Sequence, residues 1–408
     1  MDAITGIYFF YMFVSIYFLS LFLVSFIRIR RNIYDTPKIT KKYGVSILIP
    51  AYNEEESIEE SIQAVRKLDY ENIREILVIN DGSTDNTLQI AKKLEAKIPL
   101  LRVIDKKNGG KADALNYGLK QARGELIVIV DSDSFPDADA LQKTVGYFDD
   151  KTVGVVTIPI LVRNRHNLLS RLQAIEYSVI AFTRKLLEPV DGIYVTPGPF
   201  AVYRKSALEE VGGFDADNIT EDIEVTWNLA AHNYTRKMNM CTSVSSVAPD
   251  RLRDWWKQRN RWTMGGLQTA WKYKNRFFRE NILGYFILPF FVFGFVLGIL
   301  GMAIFGYLFY QGFMKQYLFT KFSFLADTAL VTGSDVINFT PTVLNYFGLV
   351  LFGLMFLFTL VVLGIIESEL FKGKRFFDLL VYLTFYLLLG PIVLLTATFK
   401  LIKGDMRW

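Results

Sequence analysis

The stretch Leu126-Ile-Val-Ile-Val-Asp-Ser-Asp133 ends an apolar run with two carboxylates that stand one residue apart. A short apolar run without polar alternation is typical of a strand that is buried on both faces of a sheet. Side chains alternate along extended backbone, so Asp131 and Asp133 can face the same side. We therefore predict a central strand over 126–130 whose carboxyl end presents both carboxylates to one ligand.

Strands and helices are predicted to alternate on both sides of this stretch. The predicted strands lie at 45–50, 75–80, 102–105, 126–130 and 153–160, and the predicted helices at 55–68, 85–96, 111–122 and 137–148. This alternation predicts an α/β domain with a Rossmann-like, mostly parallel sheet, whose ligands bind beyond the carboxyl ends of the strands. No GxGxxG sequence follows the first strand, which argues against a dinucleotide-binding domain.

Polar residues follow the first two predicted strands. Ala51-Tyr52-Asn53-Glu54 follows the first, and Asp81 follows the second. Asp81 would accept hydrogen bonds from a base or a ribose, although Asp-Gly-Ser is also ordinary turn chemistry. Lys111 stands where a helix is predicted to begin, so its ammonium group and the backbone amides there would favour phosphate. An exposed helix lysine is the alternative for Lys111.

The carboxylates of Asp131 and Asp133 suit a hard divalent cation. Mg²⁺ or Mn²⁺ binds through few protein oxygens and takes further oxygens from substrate phosphates. The chain has two histidines and one cysteine, Cys241, which argues against a histidine-ligated metal or a zinc cluster. Taken alone, this motif is also compatible with a solvated loop.

Glu221 and Asp222 follow Thr220 at the predicted start of a helix. The positive end of a helix dipole stabilises an ionised carboxylate, which suits a general base that takes a proton from an acceptor hydroxyl. An acid in the first turn is also simply a good helix start. Both interpretations remain open from these residues alone.

A tryptophan-rich helix carrying Gln258-Arg-Asn-Arg261-Trp262 is predicted next. Gln258 and Arg261 share one helical face. Arg261 would hold a leaving diphosphate through two hydrogen bonds, and Trp262 offers a flat apolar surface for a sugar ring. Four of the six tryptophans, Trp255, Trp256, Trp262 and Trp271, favour a helix at the lipid interface. Core packing of individual rings is the alternative.

Four stretches carry no Asp, Glu, Lys or Arg, namely 3–27, 281–314, 337–366 and 379–399. Each is long enough to cross a bilayer, which requires about 20 apolar residues. We interpret the first as a retained anchor rather than a signal peptide, because its basic residues follow the apolar segment instead of preceding it.

Basic clusters at 28–31, 272–279 and 372–375 place residues 28–280 in the cytoplasm by the positive-inside rule. Four crossings would put the basic C-terminal tail outside. We therefore expect either a re-entrant or interfacial stretch, with a break at Gly390-Pro391, or a further crossing within 312–342. The net charge of +5 lies mostly beside the membrane and fits anionic lipids rather than nucleic acid.

Four motifs resemble, in their order along the chain, those of the processive family 2 membrane glycosyltransferases. They are Asp81, Asp131-Ser132-Asp133, Thr220-Glu-Asp222 and Gln258-Arg-Asn-Arg261-Trp262. That group includes the cellulose, chitin, hyaluronan and poly-N-acetylglucosamine synthases. The resemblance covers roughly residues 40–280, and the layout is most similar to the poly-β-1,6-N-acetylglucosamine synthases. It implies a GT-A fold and an inverting transfer from a UDP-sugar.

By position, the resemblance implies a role for each motif residue. Asp222 would be the catalytic base with Glu221 beside it, and Asp133 would bind the metal. The donor-binding residues would be Ala51, Tyr52, Asn53, Glu54, Asp81, Lys111, Asp131, Ser132, Gln258 and Arg261. The acceptor-binding residues would be Pro197, Gly198, Pro199, Phe200 and Trp262.

These expectations divide the chain into an anchor (1–31), a catalytic domain (40–249), an interfacial region (250–280) and a C-terminal membrane region (281–408). The expected partners are a UDP-sugar, a glycan or lipid-linked acceptor and membrane lipids, with a small membrane subunit as an option and no nucleic acid. Two alternatives stay open: a transferase that adds one sugar to a lipid, and a glycan-binding scaffold with a degenerate domain. The intact acidic motifs argue against the scaffold.

Overall fold

A seven-stranded sheet forms the centre of the molecule in the computed structural model, which describes residues 3–325, 350, 353–354, 356–361, 364 and 375–404. The strands are β1 (Val45–Ala51), β2 (Ile73–Asp81), β3 (Leu101–Lys106), β4 (Leu126–Ile129), β5 (Ser134–Pro136), β6 (Val153–Thr157), β7 (Ile160–Val162), β8 (Ala201–Arg204), β9 (Thr235–Met238) and β10 (Val244–Ser246). The order of the large sheet is β3-β2-β1-β4-β8-β6-β9, and β5, β10 and β7 form a second, small sheet.

Eleven α-helices are labelled here in chain order. They are α1 (Ala3–Ile29), α2 (Ile58–Arg66), α3 (Thr87–Glu95), α4 (Lys111–Gln121), α5 (Ala140–Thr144), α6 (Leu168–Leu187), α7 (Lys205–Glu210), α8 (Glu221–Ala231), α9 (Leu252–Lys272), α10 (Leu288–Leu325) and α11 (Arg375–Ile402). The predicted helix start at Glu221 coincides with that of α8.

The sheet is mixed, with a single antiparallel strand. Strands β1 to β4 pair in parallel, and β6 pairs in parallel with β9. Strand β8, which the sequence did not predict, lies antiparallel between β4 and β6. The mostly parallel sheet is therefore confirmed, and β8 is inserted next to the strand that carries Asp131.

Two local predictions were wrong. The predicted helix over 137–148 is reduced to α5, followed by a 3₁₀ turn over Val145–Asp149. The predicted strand over 153–160 is divided into β6 and β7, which belong to different sheets. Pro159 lies between them, and proline has no N–H group to continue a ladder of hydrogen bonds.

The apolar character of the strands follows from burial on both faces. Ile47 and Ile49 of β1 pack on one side against α2, where Ile58 and Ile62 are fully buried. Leu48 packs on the other side with Leu115 of α4. Helices therefore cover both faces, and the edge at which β1, β2 and β4 end becomes the natural place for a polar site.

Within the described residues, three helical segments are long and apolar enough to cross a membrane: Phe9–Ile29, Leu283–Phe322 and Phe377–Ile402. They indicate a membrane protein. Most of the predicted stretch 337–366 lies outside the described residues, as does much of the alternative crossing within 312–342. The predicted break at Gly390-Pro391 was wrong, because α11 continues through both residues to Ile402.

The tryptophans of α9 are divided between packing and exposure. Trp255 is 1% exposed and packs against Phe385 and Tyr386 of α11, with ring centroids 5.2 and 5.9 Å away. Trp271 is 71% exposed, as expected for an interfacial ring. Helix α9 thus packs against α11, one of the three apolar helices, and Trp255 follows the core-packing alternative.

Gly265 allows α9 to approach the start of α8. An added Cβ at Gly265 would lie 2.7 Å from the Cβ of Thr220, which immediately precedes Glu221.

We expect Gly265→Ala to destabilise the fold by about 1–3 kcal/mol through overpacking, measured as a lower unfolding temperature in detergent. Gly294→Ala in α10 is the control, because its Cβ would meet nothing within 4 Å. Equal melting of both variants would contradict this contact.

Candidate active site

The loops that follow β1 and β2 are joined into one wall. Asn53 has a left-handed backbone (φ 55°), and its Oδ1 accepts a hydrogen bond of 2.8 Å from the Thr84 amide. The Asn53 amide donates to Ser83 Oγ at 3.0 Å, and the Glu54 amide donates to Thr87 Oγ1 at 2.7 Å. The predicted donor-binding segment is thereby fixed at the end of the sheet.

Ala51 and Tyr52 differ in what they expose at this wall. Ala51 is buried in the core, so it can offer only its backbone to a ligand. Tyr52 is 50% exposed, so its ring is accessible to a ligand. An aromatic face of this kind can stack on a base.

Asp81 is buried, and both of its carboxylate oxygens are engaged. Oδ1 accepts from the Gly109 amide at 2.9 Å and pairs with Lys106 Nζ at 2.6 Å, while Oδ2 accepts from the Gly110 amide at 2.7 Å. Gly110 has a φ of 88°, a conformation that favours glycine. Asp81 therefore anchors the turn that leads into Lys111. Its contact with a nucleotide stays a prediction.

Lys111 joins two distant carboxylates. Its Nζ lies 2.6 Å from Asp131 Oδ1 and 3.1 Å from Glu221 Oε1. Burial on its own lowers the pKa of Lys111, but the charges of Asp131 and Glu221 outweigh it and raise the pKa above its usual value. An added Cβ at Gly198 would lie 2.6 Å from the same Nζ, so the predicted acceptor segment also reaches this ion-paired cluster.

Asp133, Asp131 and Glu54 concentrate negative charge. Burial, then Asp131 and Glu54, raise the pKa of Asp133 to about 6. Burial, with Asp131 as the main neighbouring charge, also raises the pKa of Glu54, against hydrogen bonds from Ser57 and Ser132. Carboxylates that are crowded in this way are stabilised by a cation.

This carboxylate cluster fits a divalent cation that is only partly held by protein. Among the described residues, no group of three or more His, Cys, Asp or Glu side chains lies close enough to hold a metal ion alone. Mg²⁺ and Mn²⁺ accept a few protein oxygens and complete their shell with water and phosphate. The donor set therefore fits a cation that arrives with a diphosphate.

Glu221 and Asp222 are adjacent but differ in pKa. Burial disfavours ionised Glu221, yet the Lys111 charge outweighs it and lowers the pKa of Glu221 below its usual range. Burial and then the Glu221 charge raise the pKa of Asp222 to about 6. A pair whose pKa values are pushed apart is typical of acid–base sites. Asp222 is the member whose protonation changes near neutral pH.

Arg261 links helix α9 to the pair Glu221 and Asp222. The charge of Arg261 lowers the pKa of both Glu221 and Asp222, so its guanidinium lies within electrostatic reach of them. Trp262 lies beside Tyr177 of α6, with ring centroids 6.4 Å apart. The four sequence motifs therefore meet in one region at the end of the sheet.

The predicted acceptor segment is mostly buried. Pro197 and Gly198 are buried and Pro199 is partly exposed. Phe200 is fully buried in the sheet core, because it immediately precedes β8, which draws its ring inward. Only its backbone is left to contact an acceptor, and the acceptor role of Phe200 stays a prediction.

Three charged residues near the site were missed at the sequence level: Glu176, Arg184 and Arg259. Arg184 of α6 is 8% exposed, and its Nε atom makes no hydrogen bond within the described part of the chain. Burial lowers the pKa of Arg184, while Tyr194 and Asp222 oppose that change. For Glu176 and Arg184, charges inside the apolar sequence 168–187 were the available signal, since such residues are rarely buried without a role.

Comparison with known proteins gives three consistent similarities. Residues 46–212 match the model of glycosyl transferase family 2. Poly-beta-1,6-N-acetyl-D-glucosamine synthase of Staphylococcus aureus is 35% identical over 264 residues, which cover 63% of this chain and 64% of that protein. The synthase of Staphylococcus epidermidis is 36% identical over 225 residues, covering 55% and 54%. The chain thus spans less than two thirds of the length of these curated relatives.

The fold has a solved counterpart. Mannosyltransferase PcManGT from Pyrobaculum calidifontis, in complex with GDP-Man and Mn²⁺, superposes with a TM-score of 0.59 at 20% identity, covering 98% of this chain and 99% of that one. This similarity confirms the predicted GT-A fold. Residues 46–212 are thus similar to family 2 glycosyltransferases, and the chain combines a GT-A fold with helices suited to a membrane.

Proposed function

We propose that this protein is an inverting membrane glycosyltransferase that extends a β-linked polysaccharide of the poly-N-acetylglucosamine type from a UDP-sugar. The observation that carries the proposal is the contact of Lys111 with both Asp131 and Glu221, at 2.6 and 3.1 Å. It brings the donor-side strand end to the helix that begins with Glu221 and Asp222. The similarity to the staphylococcal synthases supports the choice of sugar and of a polymeric product.

Asp222 is the proposed general base. It would take the proton from the acceptor hydroxyl as that oxygen attacks the anomeric carbon of the donor, and UDP would leave from the opposite face. Single displacement of this kind inverts the configuration at the anomeric carbon. Glu221 stays ionised beside Lys111, so the second negative charge keeps Asp222 basic enough for the transfer.

The departing diphosphate requires positive charge, since charge stabilisation at the leaving group is a large part of such catalysis. Arg261 would supply part of it from α9. Asp133, with Asp131 near it, would hold Mg²⁺ or Mn²⁺, which when bound neutralises the diphosphate as a Lewis acid. The Mn²⁺ in the solved mannosyltransferase supports a divalent metal.

The other site residues have proposed roles on either side of this centre. On the donor side, Asn53, Glu54, Asp81 and Ser132 would form the wall that holds the nucleotide. On the acceptor side, Gly198, Pro199 and Trp262 would line the path of the glycan.

Basic residues at the end of α1 and between α9 and the next apolar helix support a cytoplasmic position for the catalytic domain.

A product assay tests the function. Purified protein in nanodiscs with Mn²⁺ is expected to release UDP fastest from UDP-N-acetylglucosamine among a panel of UDP-sugars, and chelation by EDTA is expected to stop the release. A ladder of products on a gel would support processive extension. A single lipid-linked product would instead support the transferase that adds one sugar, and no UDP release from any donor would support a non-catalytic scaffold.

Asp222→Asn should abolish transfer and leave UDP binding largely intact, because the amide keeps the shape of the side chain and removes the base. Loss of general-base catalysis typically costs about 10²–10⁴-fold in rate. Asp217→Asn is the control, since Asp217 is an exposed carboxylate in the preceding loop. Transfer by Asp222→Asn at a rate near that of the unmodified protein would refute the assignment of the base.

The raised pKa of Asp222 predicts an acidic limb in the pH profile. A base works only when deprotonated, so kcat/KM should fall about tenfold per pH unit below about pH 6. Lys111→Gln removes a positive charge that lowers the pKa of Asp222, and should therefore move the limb to higher pH. A limb that stays in place in this variant would contradict the electrostatic coupling.

A further inference from the structure

Arg259, the second residue of the α9 motif, is buried and uses all three nitrogens of its guanidinium. Its Nε donates to Oε1 of Glu176 on α6 at 3.1 Å, and its Nη2 pairs with Oε2 of the same carboxylate. Its Nη1 donates to Oε1 of Gln258 at 2.5 Å. A guanidinium that is held by two parallel bonds has a fixed plane. Arg259 therefore presents a rigid surface to its neighbours.

That surface orients two of the candidate site residues. Because Oε1 of Gln258 is engaged by Arg259, the Nε2 group of Gln258, which makes no hydrogen bond within the described residues, is the end left to donate to a ligand oxygen. The guanidinium also stacks over the Trp262 ring at 4.2 Å from its centroid. A cation–π contact of this kind fixes the plane of the indole.

A membrane helix holds the other side of the same carboxylate. The Tyr386 hydroxyl of α11 donates to Oε2 of Glu176 at 2.5 Å. Glu176 is itself buried and is the only acidic residue of α6. A buried carboxylate needs every such partner, because each lost hydrogen bond leaves charge uncompensated. We call Arg259, Glu176 and Tyr386 the clamp.

Two further polar contacts fix α11 against the catalytic domain without touching the clamp. Arg171 of α6 pairs with Asp378 through two hydrogen bonds of 2.8 and 3.1 Å. Thr396 donates to Asn260 of α9 at 2.9 Å. Polar groups in apolar membrane helices are costly unless paired, so these contacts specify the position of α11.

We propose that Arg259 is a positioning residue that sets the orientation of Gln258 and Trp262, and that α11 holds it in place through Glu176. The proposal rests on the proposed function, in which Trp262 lines the path of the glycan, and on the predicted donor-binding role of Gln258. The guanidinium of Arg259 pairs with Glu176 of α6, which in turn accepts from Tyr386 of α11. The acceptor end of the site is therefore completed by a membrane helix and not by the GT-A domain alone.

Tyr386→Phe tests the proposal with the loss of one oxygen atom. We expect about a tenfold rise in the KM for a β-linked N-acetylglucosamine oligosaccharide primer, from loss of one hydrogen bond to a charged group. The rate of UDP release to water without primer should change less, by about twofold, because the strand-end residues hold the donor and Gln258 is one donor-binding residue among several. Tyr382→Phe is the matched control one turn earlier on α11, where the hydroxyl makes no hydrogen bond within the described residues.

Coupling between variants separates the clamp from general packing. Glu176→Gln removes the charge that both partners share, so adding Tyr386→Phe to it should cause little further change in primer KM. Asp378→Asn loosens α11 at the other contact and should lower the unfolding temperature without raising primer KM. These three responses distinguish orientation of the acceptor end from simple loss of stability.

Each outcome decides the proposal. It is overturned if Tyr386→Phe and Tyr382→Phe give the same primer KM, if the effects of Glu176→Gln and Tyr386→Phe multiply, or if Asp378→Asn raises primer KM as much as Tyr386→Phe. Failure of the unmodified protein to release UDP from any UDP-sugar would refute the proposed function instead. The two failures are therefore distinguishable in one series of measurements.

Discussion

The ammonium group of Lys111 sits between the carboxylates of Asp131 and Glu221, and the arrangement of the site follows from it. The three residues come from the start of α4, the end of β4 and the start of α8. Like charges that are crowded at a sheet edge would repel each other, and the ammonium group of the lysine offsets that repulsion. The same charge keeps Glu221 deprotonated, which leaves Asp222 as the carboxyl that titrates near neutral pH.

Features determined by local sequence were predictable. The apolar run before Asp131 formed a buried strand because no polar residue interrupts it, and Glu221 began a helix because its neighbours favour one. The order of the motifs along the chain then predicted the GT-A fold. Their convergence follows from a rule of parallel sheets, since the carboxyl ends of neighbouring strands share an edge.

Features determined by distant contacts were not predictable. Lys111 was expected to face phosphate, but its carboxylate partners are 20 and 110 residues away. Phe200 was assigned to the acceptor by resemblance alone, whereas the burial of its side chain depends on the pairing of the following strand, β8, with β4 and β6. No role was predicted for Arg259, because its partner Glu176 lies on another helix and only the fold brings the two together. Pairing between elements is tertiary information, which residue spacing within one element does not contain.

The burial of Trp255 against α11 has a consequence for how the chain can be divided. Removal of everything after residue 280 would expose that ring and strip Glu176 and Arg171 of their partners Tyr386 and Asp378. The part before residue 280 would then present an apolar face with unpaired charges, a combination that promotes aggregation. Soluble fragments of this protein would need substitutions at that face before they could report on the intact chain. Helix α11 is thus a structural part of the domain that contains the candidate site.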